Sequence, residues 1–314
     1  PAIAPAVSAG SLVAAQIELA GHAGRDVPRG ITLVVDTSAS RGLAFEAYIA
    51  SIRKLVGELR ATWGDGLPLE VVAFDQDTEL VFDGRAGDLG ESIVRKLAER
   101  GAAGASDLGQ ALAWMARGTR KPRVVVVGDG VITAGVEGRE LQARVKQLAG
   151  SKVERLDIVL VGGLRDDRAA ALLVRSGLAR AGAVLELGAD PVASALGEAV
   201  STNIPIDVPG AAWVYPRTIA SARTGTRVMV FARLPRPAST LGVIANGKRS
   251  TIPVVPGTAP LVERAVAGAE LAELEARLAI APAGDAAVLR VAIAKQSVAA
   301  RVLSSETSML VLET

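Results

Sequence analysis

The sequence predicts an α/β fold: a doubly wound, mostly parallel sheet, with a β-rich second domain. Three observations carry that prediction. From about residue 29 to residue 203, short Val/Ile/Leu runs alternate with amphipathic stretches, as strands alternating with helices do. The four valines 124–127 have no polar alternation, which suits a central strand buried on both faces. After Pro205 the pattern changes to short extended runs separated by Pro and Gly.

Element by element, residues 11–19 place Val13, Ala15, Ile17 and Leu19 on one face and Gln16 and Glu18 on the other, a period-two strand signal. Strands are then expected at 31–36, 69–75, 79–82, 123–127, 156–161 and 183–187. Helices are expected between them at 45–62, 89–100, 108–116, 137–148, 167–176 and 191–202. Asp107 and Asp190 stand before two of these helices, where a short carboxylate caps exposed N–H groups. In the second region, strands are expected at 211–214, 227–232, 241–245 and 249–255. Asn246-Gly247 between the last two is a two-residue hairpin signal. Helical stretches at 265–278 and 286–302 follow, then a terminal strand at 308–313.

Composition narrows the function classes. The 314 residues suffice for one large or two ordinary domains, and with 50 % hydrophobic and 22 % charged residues the chain can bury a substantial core. The 35 basic and 33 acidic side chains nearly cancel. Without a polybasic block or basic–aromatic interleaving, nucleic acid is not an expected partner. Cysteine is absent, which removes disulfides, thiol catalysis and Cys-ligated zinc. The one histidine, His22, stands away from the acidic motif described below and carries neither a triad nor a His-based metal centre. No window supplies the roughly 18 uninterrupted apolar residues of a membrane span. Residues 1–17 are Ala-rich but lack an initiating Met and a basic leading segment, so they do not read as an intact signal peptide. The chain begins at Pro1 and ends just past Met309-Leu310-Val311-Leu312, and is expected to be a piece of a longer protein.

The chemistry concentrates where the first strand of the α/β region ends. Ile31-Thr32-Leu33-Val34-Val35 runs into Asp36-Thr37-Ser38-Ala39-Ser40, a D-x-S-x-S spacing. Alternate residues of an extended or turning segment point the same way, so Asp36, Ser38 and Ser40 can converge. Two further segments are expected at the same carboxyl edge, where open α/β sheets bind ligands. They are Gly104-Ala105-Ser106-Asp107-Leu108 and Val127-Gly128-Asp129-Gly130. Taken singly, the serines also read as helix caps and the aspartates as turn residues. Together, two carboxylates and three hydroxyls form an oxygen-only ligand set suited to a hard cation such as Mg2+. Asp75 and Asp77 read as solvated turn residues rather than added ligands. Trp114, Met115 and Phe45 read as core, and Thr133 as a residue shaping the loop behind Asp129.

This set, with a hydroxyl before Asp-Leu and Gly-Asp-Gly after an apolar strand, resembles the metal-ion-dependent adhesion site (MIDAS) of von Willebrand factor type A (VWA) domains. The resemblance covers residues 29–203 and implies a Rossmann-like VWA domain over 28–203. It also implies a metal site of Asp36, Ser38, Ser40, Ser106 and Asp129, taking Mg2+, or Mn2+ or Ca2+, with an Asp or Glu of a protein partner completing the shell. Two positions depart from the commoner pattern. Ser106 stands where threonine is usual, which keeps the hydroxyl. Ala39-Ser40-Arg41 stands where Gly-Ser-Met is usual, and puts a cationic side chain beside the open face, able either to attract an acidic partner or to compete with the metal.

The tail carries a second resemblance. Val214-Tyr215-Pro216-Arg217, Gly225 with the strand after it, and Ser304-Ser305-Glu306-Thr307-Ser308 are similar to the segments that follow the A domain in inter-alpha-trypsin-inhibitor heavy-chain-like proteins. The resemblance implies a bacterial protein joining a vault/inter-alpha-trypsin (VIT) domain, before Pro1, to the A domain. Residues 1–27 and 204–314 would form the hybrid-type domain flanking it. The expectation is therefore a non-catalytic, metal-dependent adhesion or assembly module. A metal-free scaffold is one alternative. A Mg2+-dependent phosphotransferase is the other, but it wants a second Asp close to the first and a lysine near the metal, and Lys121 lies at the wrong end of its strand. A dinucleotide-binding enzyme is not expected, because the first βα turn lacks G-x-G-x-x-G.

Overall fold

The structure, a computed structural model, describes residues 4–19, 24–162, 165–279 and 281–308. The chain divides into two units, residues 22–201 and residues 1–21 with 202–314. His22 and the apolar tail beyond Ser308, including the expected terminal strand, lie outside the described residues.

The chain opens with β1 (Ala6–Ala9) and β2 (Leu12–Glu18), which belong with the C-terminal residues. The α/β unit follows. Its strands are β3 (Ile31–Asp36), β4 (Pro68–Phe74), β5 (Thr78–Arg85), β6 (Arg123–Gly128), β7 (Arg155–Leu160) and β8 (Val184–Glu186). Its helices are α1 (Phe45–Trp63), α2 (Glu91–Arg100), α3 (Leu108–Met115), α4 (Gly138–Gln147), α5 (Asp167–Leu173) and α6 (Val192–Ala195). Among the described residues the sheet order is β5-β4-β3-β6-β7-β8. Every pairing is parallel except β4 with β5.

Residue parity explains how both faces are filled. Ile31, Leu33 and Val35 of β3, Leu69, Val71 and Ala73 of β4, and Val125 and Val127 of β6 share one core with α1 and α6. The intervening Val34, Val72, Val124 and Val126 join the opposite core with α3, α4 and α5. Successive strand side chains point to opposite faces, so a run apolar at every position belongs where helices cover both. Helix α1 buries Tyr48, Ile49, Ile52, Leu55, Val56 and Leu59, the i, i+3, i+4, i+7 stripe of a helix lying on a sheet.

The expected helix over 191–202 is cut to α6. Gly197 packs so close to Trp63 that a Cβ there would lie 2.3 Å from the indole. Past it the chain turns extended into β9 (Ser201–Asp207), where Pro205 cannot continue a helix.

The remaining strands are β10 (Trp213–Tyr215), β11 (Thr218–Ala222), β12 (Arg227–Arg233), β13 (Thr240–Ala245) and β14 (Lys248–Pro256), followed by α7 (Ala259–Leu278) and α8 (Ala283–Ala300). Together with β1, β2 and β9 they form, among the described residues, a sheet ordered β10-β12-β2-β1-β14-β13-β9-β11. Val13, Ala15, Ile17 and Leu19 enter its apolar core, as the alternation predicts, beside Val230, Ala232, Leu241, Val243 and Ile252. Asn246 and Gly247 both take positive φ (50° and 76°) between β13 and β14, the primed turn that their pairing predicts. The indole N–H of Trp213 donates to Glu273 at 2.7 Å and ties α7 to β10. Strands β1, β9 and β11 go beyond the sequence expectation: β1 and β11 are short runs rich in Ala, Ser and Thr with little hydrophobic alternation, and in β9 only Ile204 and Ile206 alternate, on either side of Pro205.

Candidate functional site

Three loops meet at the carboxyl edge of the α/β sheet, and backbone hydrogen bonds fix them. Thr37 N–H donates to Phe74 O at 2.8 Å, Ala39 N–H to Gly104 O at 3.0 Å and Ala103 N–H to Thr37 O at 3.0 Å. Behind them, Thr133 N–H donates to Ser106 O at 3.1 Å, and Asp166 N–H to Asp129 O at 3.1 Å. Thr133 also accepts from Ser106 N–H at 2.8 Å, the loop-shaping role expected of it. Asp107 caps α3, accepting from Gln110 N–H at 2.8 Å.

The structure brings all five sequence-predicted side chains to this edge. Asp36 ends β3; its Oδ1 accepts from Ser38 N–H at 2.8 Å, and its Oδ2 accepts from the Ser106 hydroxyl at 3.3 Å. Ser38 and Ser40 hydroxyls lie 3.1 Å apart. Asp129 follows β6, with Oδ1 accepting from Val131 N–H at 2.9 Å. Asp36, Ser38, Ser106 and Asp129 are buried, and Ser40 is exposed, so the cluster opens to solvent at Ser40. Gly128 permits the close approach, since a Cβ there would sit 2.8 Å from Asp36 Cβ.

Arg41 completes the cluster. Its Nη2 ion-pairs with Asp129 Oδ2, Nη1 donates to Val161 O at 3.0 Å, and Nε donates to Ser40 Oγ at 3.3 Å. Its guanidinium carbon lies 5.9 Å from the Tyr48 ring centre, within cation–π range. The result is a continuous line of contacts, Ser106–Asp36–Ser38–Ser40–Arg41–Asp129.

Burial pushes the Asp36 carboxyl above its ordinary range; the Ser38 N–H opposes that, Asp129's charge adds to it and Arg41's opposes it. Burial also raises the Tyr48 phenol well above its usual value, and Asp36 and Asp129 push in the same direction. Tyr48 donates to Val127 O at 2.9 Å. It is neutral, and serves as a wall behind the carboxylates.

Asp75 differs from the expected solvated turn. It accepts from Arg100 Nη2 at 2.8 Å and from the Thr37 hydroxyl at 3.1 Å, so it braces the β3 loop instead of facing water. Arg100, at the end of α2, has no local sequence signal linking it to Thr37; only the fold brings them together. Tyr48 has one, since it falls on the buried stripe of α1 near the helix start.

The donor set fits a small hard cation. All five ligand candidates present oxygen, two of them charged, and a cationic group already stands against Asp129 and Ser40. Among the described residues no three His, Asp or Glu side chains gather as a metal cluster, and the candidate set draws three of its five donors from serine.

In open α/β sheets the crevice for ligands lies outside the carboxyl ends of the strands, and the cluster stands at that edge. No protein-family profile matches the chain, and no curated protein matches it in sequence. Solved structures to which the chain is similar include proteins described as von Willebrand factor type A. One is a von Willebrand factor type A protein from Catenulispora acidiphila, at 14 % identity over 95 % of this chain and 84 % of that one, with TM-score 0.42. Another is the ArnB paralog VWA2 from Sulfolobus acidocaldarius, at 12 % identity over 94 % and 87 %, with TM-score 0.36. A third similar structure is BatB from Bacteroides thetaiotaomicron, at 16 % identity over 52 % and 92 %, with TM-score 0.38. Among the described residues no helix is long and apolar enough to cross a membrane.

Proposed function

We propose that this chain is a non-catalytic protein-binding module. In this reading Asp36, Ser38, Ser40, Ser106 and Asp129 hold a divalent cation, Mg2+ or else Mn2+ or Ca2+, and an Asp or Glu of a partner protein completes its shell. The carrying observation is that two buried carboxylates and three hydroxyls gather at one sheet edge, joined by hydrogen bonds and the Arg41 ion pair, and that this edge opens to solvent at Ser40. The cation supplies an electrophilic centre for the incoming carboxylate. The chain's own residues supply the rest. The hydroxyls add oxygen donors without added charge, the Asp36 and Asp129 loops are fixed by Ser38 and Val131 N–H groups, and exposed Ser40 marks the open side.

A phosphotransferase is less well supported. Lys121 stands at the amino end of β6 and is engaged by Asp83 at 2.8 Å and Glu70 at 3.6 Å, away from the carboxyl edge. A metal-free scaffold has one observation in its favour, the Arg41–Asp129 ion pair.

We read residues 28–203 as a VWA domain of a bacterial VIT/VWA protein, flanked by a β-rich hybrid-type domain from 1–27 and 204–314. The tail motif supports this reading. Thr307 accepts from Ser304 N–H at 3.1 Å and contacts the Ser304 hydroxyl at 3.0 Å, a local knot that gives Ser304 and Thr307 a structural reason.

Calorimetric titration with Mg2+ and Mn2+, beside Asp36→Ala, tests the site. One-site binding removed by the substitution, with the circular dichroism spectrum unchanged, is the expected result. Acetate should then lower the water-proton relaxation of the Mn2+-loaded protein by taking a coordination position. Absence of binding to both ions, or binding indifferent to Asp36→Ala, overturns the proposal.

A further inference from the structure

We infer that Arg41 is a tethered cation that a divalent ion must displace in order to bind at this site. The inference rests on the cation-binding reading above and deepens it.

The guanidinium has no free fork to offer an acidic partner. Nη2 is committed to Asp129, Nη1 to the Val161 carbonyl and Nε to Ser40, and the side chain is only 10 % exposed. Of the two roles a cation at position 41 can play, recruiting a partner carboxylate or satisfying the site's own, these contacts select the second. Arg41 touches Asp129 and Ser40, two of the five oxygen donors, so the guanidinium and a metal ion contend for the same atoms.

The local backbone is built to let it leave. Arg41 lies in a 3-10 turn, Ala39–Ala44, that contains no buried residue. Gly42 and Leu43 beside it are exposed. Segments with few buried contacts open at the lowest free-energy cost. Backbone bonds from Ala39 N–H to Gly104 O and from Arg41 N–H to Ser38 O anchor the start of the turn, so what holds the guanidinium in place is its own set of hydrogen bonds. Gly162, at φ +95°, supplies the room on the far side; a Cβ there would stand 3.3 Å from Arg41 Nη1.

The physical consequence is a weakened, exchangeable site. Without Arg41, burial places Asp36 and Asp129 near each other with no positive charge to offset them, and a divalent ion gains their full attraction. With Arg41, that ion must first break a charge-assisted pair. Such hydrogen bonds are each worth roughly a factor of ten or more in equilibrium terms.

Mn2+ titrations of the wild-type chain, Arg41→Met and Arg41→Gln decide the matter. Met keeps the length of the side chain without charge, and Gln keeps a polar end. Both should bind Mn2+ about tenfold or more tightly than wild type, and in chelator both should melt at a lower temperature, with Mn2+ restoring the loss. Equal affinity in all three proteins overturns the displacement role and leaves the metal reading standing. No binding in any of them overturns the metal reading, and displacement with it. If only one neutral variant gains affinity, the effect belongs to that side chain's packing and the inference also falls.

Discussion

At the scale of single residues, the site is organised by what burial does to charge. Asp36 is the clearest case. Its carboxyl is raised because the protein removes it from water, and neither the Ser38 N–H nor Arg41 fully compensates. The sign follows from linkage. A carboxyl with a folded-state pKa above its ordinary value of about 3.8 stabilises the fold only while protonated. Above the raised value its ionised form is a cost to the folded state. Asp36→Asn should therefore melt above wild type in chelator at neutral pH. The difference should shrink as pH falls toward the ordinary value, where wild-type Asp36 is itself neutral. Thermal melts from pH 3 to 7 check this, and a variant less stable than wild type at neutral pH would contradict it. Saturating Mn2+ should reverse the order at neutral pH, because a ligand bound to the native state stabilises by mass action. The D-x-S-x-S spacing, Ser106 and Asp129 were legible in the sequence because a side-chain motif at a strand end is a local pattern. Arg41's commitment to Asp129 was not. A charge beside a motif can face either way, and only the position of Val161 and Asp129 beneath it decides.

At the scale of elements, the opposite end of the sheet holds a buried ion network that fastens the chain's entry to its exit. Asp157 on β7 accepts from Arg155 Nε at 2.9 Å and Nη2 at 2.7 Å, and from Ala183 N–H at 2.7 Å. Arg155 Nη1 reaches Asp26 at 2.8 Å and the Glu198 carbonyl at 2.7 Å, and Arg123 joins Asp26 at 2.8 Å. Burial alone would raise the Asp26 carboxyl, but Arg123, Arg155 and Arg180 together outweigh it and hold that group below its usual range. Asp157 is fully buried and shifts the other way, raised by burial despite Arg155 and Arg123. Removing one member of such a network strands the others. Asp157→Ala should cost about 3–5 kcal/mol in urea unfolding. Arg155→Met added to it should cost less than the sum of the two single substitutions, because the orphaned guanidinium is gone. Strict additivity would show that the pair is not coupled. Nothing in the sequence marks Asp26 as a partner of Arg155, 129 residues away.

At the scale of the whole molecule, the two units differ in how they are assembled from the chain. Residues 22–201 form the α/β unit continuously and contain every member of the candidate site. The other unit is discontinuous. β2 pairs with β12 from Arg227↔Glu18 to Arg233↔Leu12, and β1 pairs in parallel with β14. Removing residues 1–21 would therefore split that sheet between β12 and β14 and expose the core that holds Val13, Ala15 and Ile17. A fragment of residues 22–201 should fold cooperatively, while residues 202–314 alone should not. Adding residues 1–21 back to the latter in one chain should restore a thermal transition. Circular dichroism melts with limited proteolysis read the outcome, and a cooperative melt of 202–314 by itself would refute the expectation.

Most of the α/β unit could be read from sequence because its signals are periodic and short-range. Valine runs without alternation mark central strands, three- and four-residue spacing marks α1, and Asn246-Gly247 marks a primed turn. Chain order and strand-end placement were enough to bring Asp36, Ser38, Ser40, Ser106 and Asp129 to one edge. The tertiary structure decided everything that depends on a partner distant in the chain. It ended the last helix at α6 through the close contact of Gly197 with Trp63, paired β1 with β14, tied Asp75 to Arg100, and turned Arg41 inward onto Asp129. Periodicity is a property of neighbours along the chain, whereas the state of a charge is set by whatever the fold packs against it.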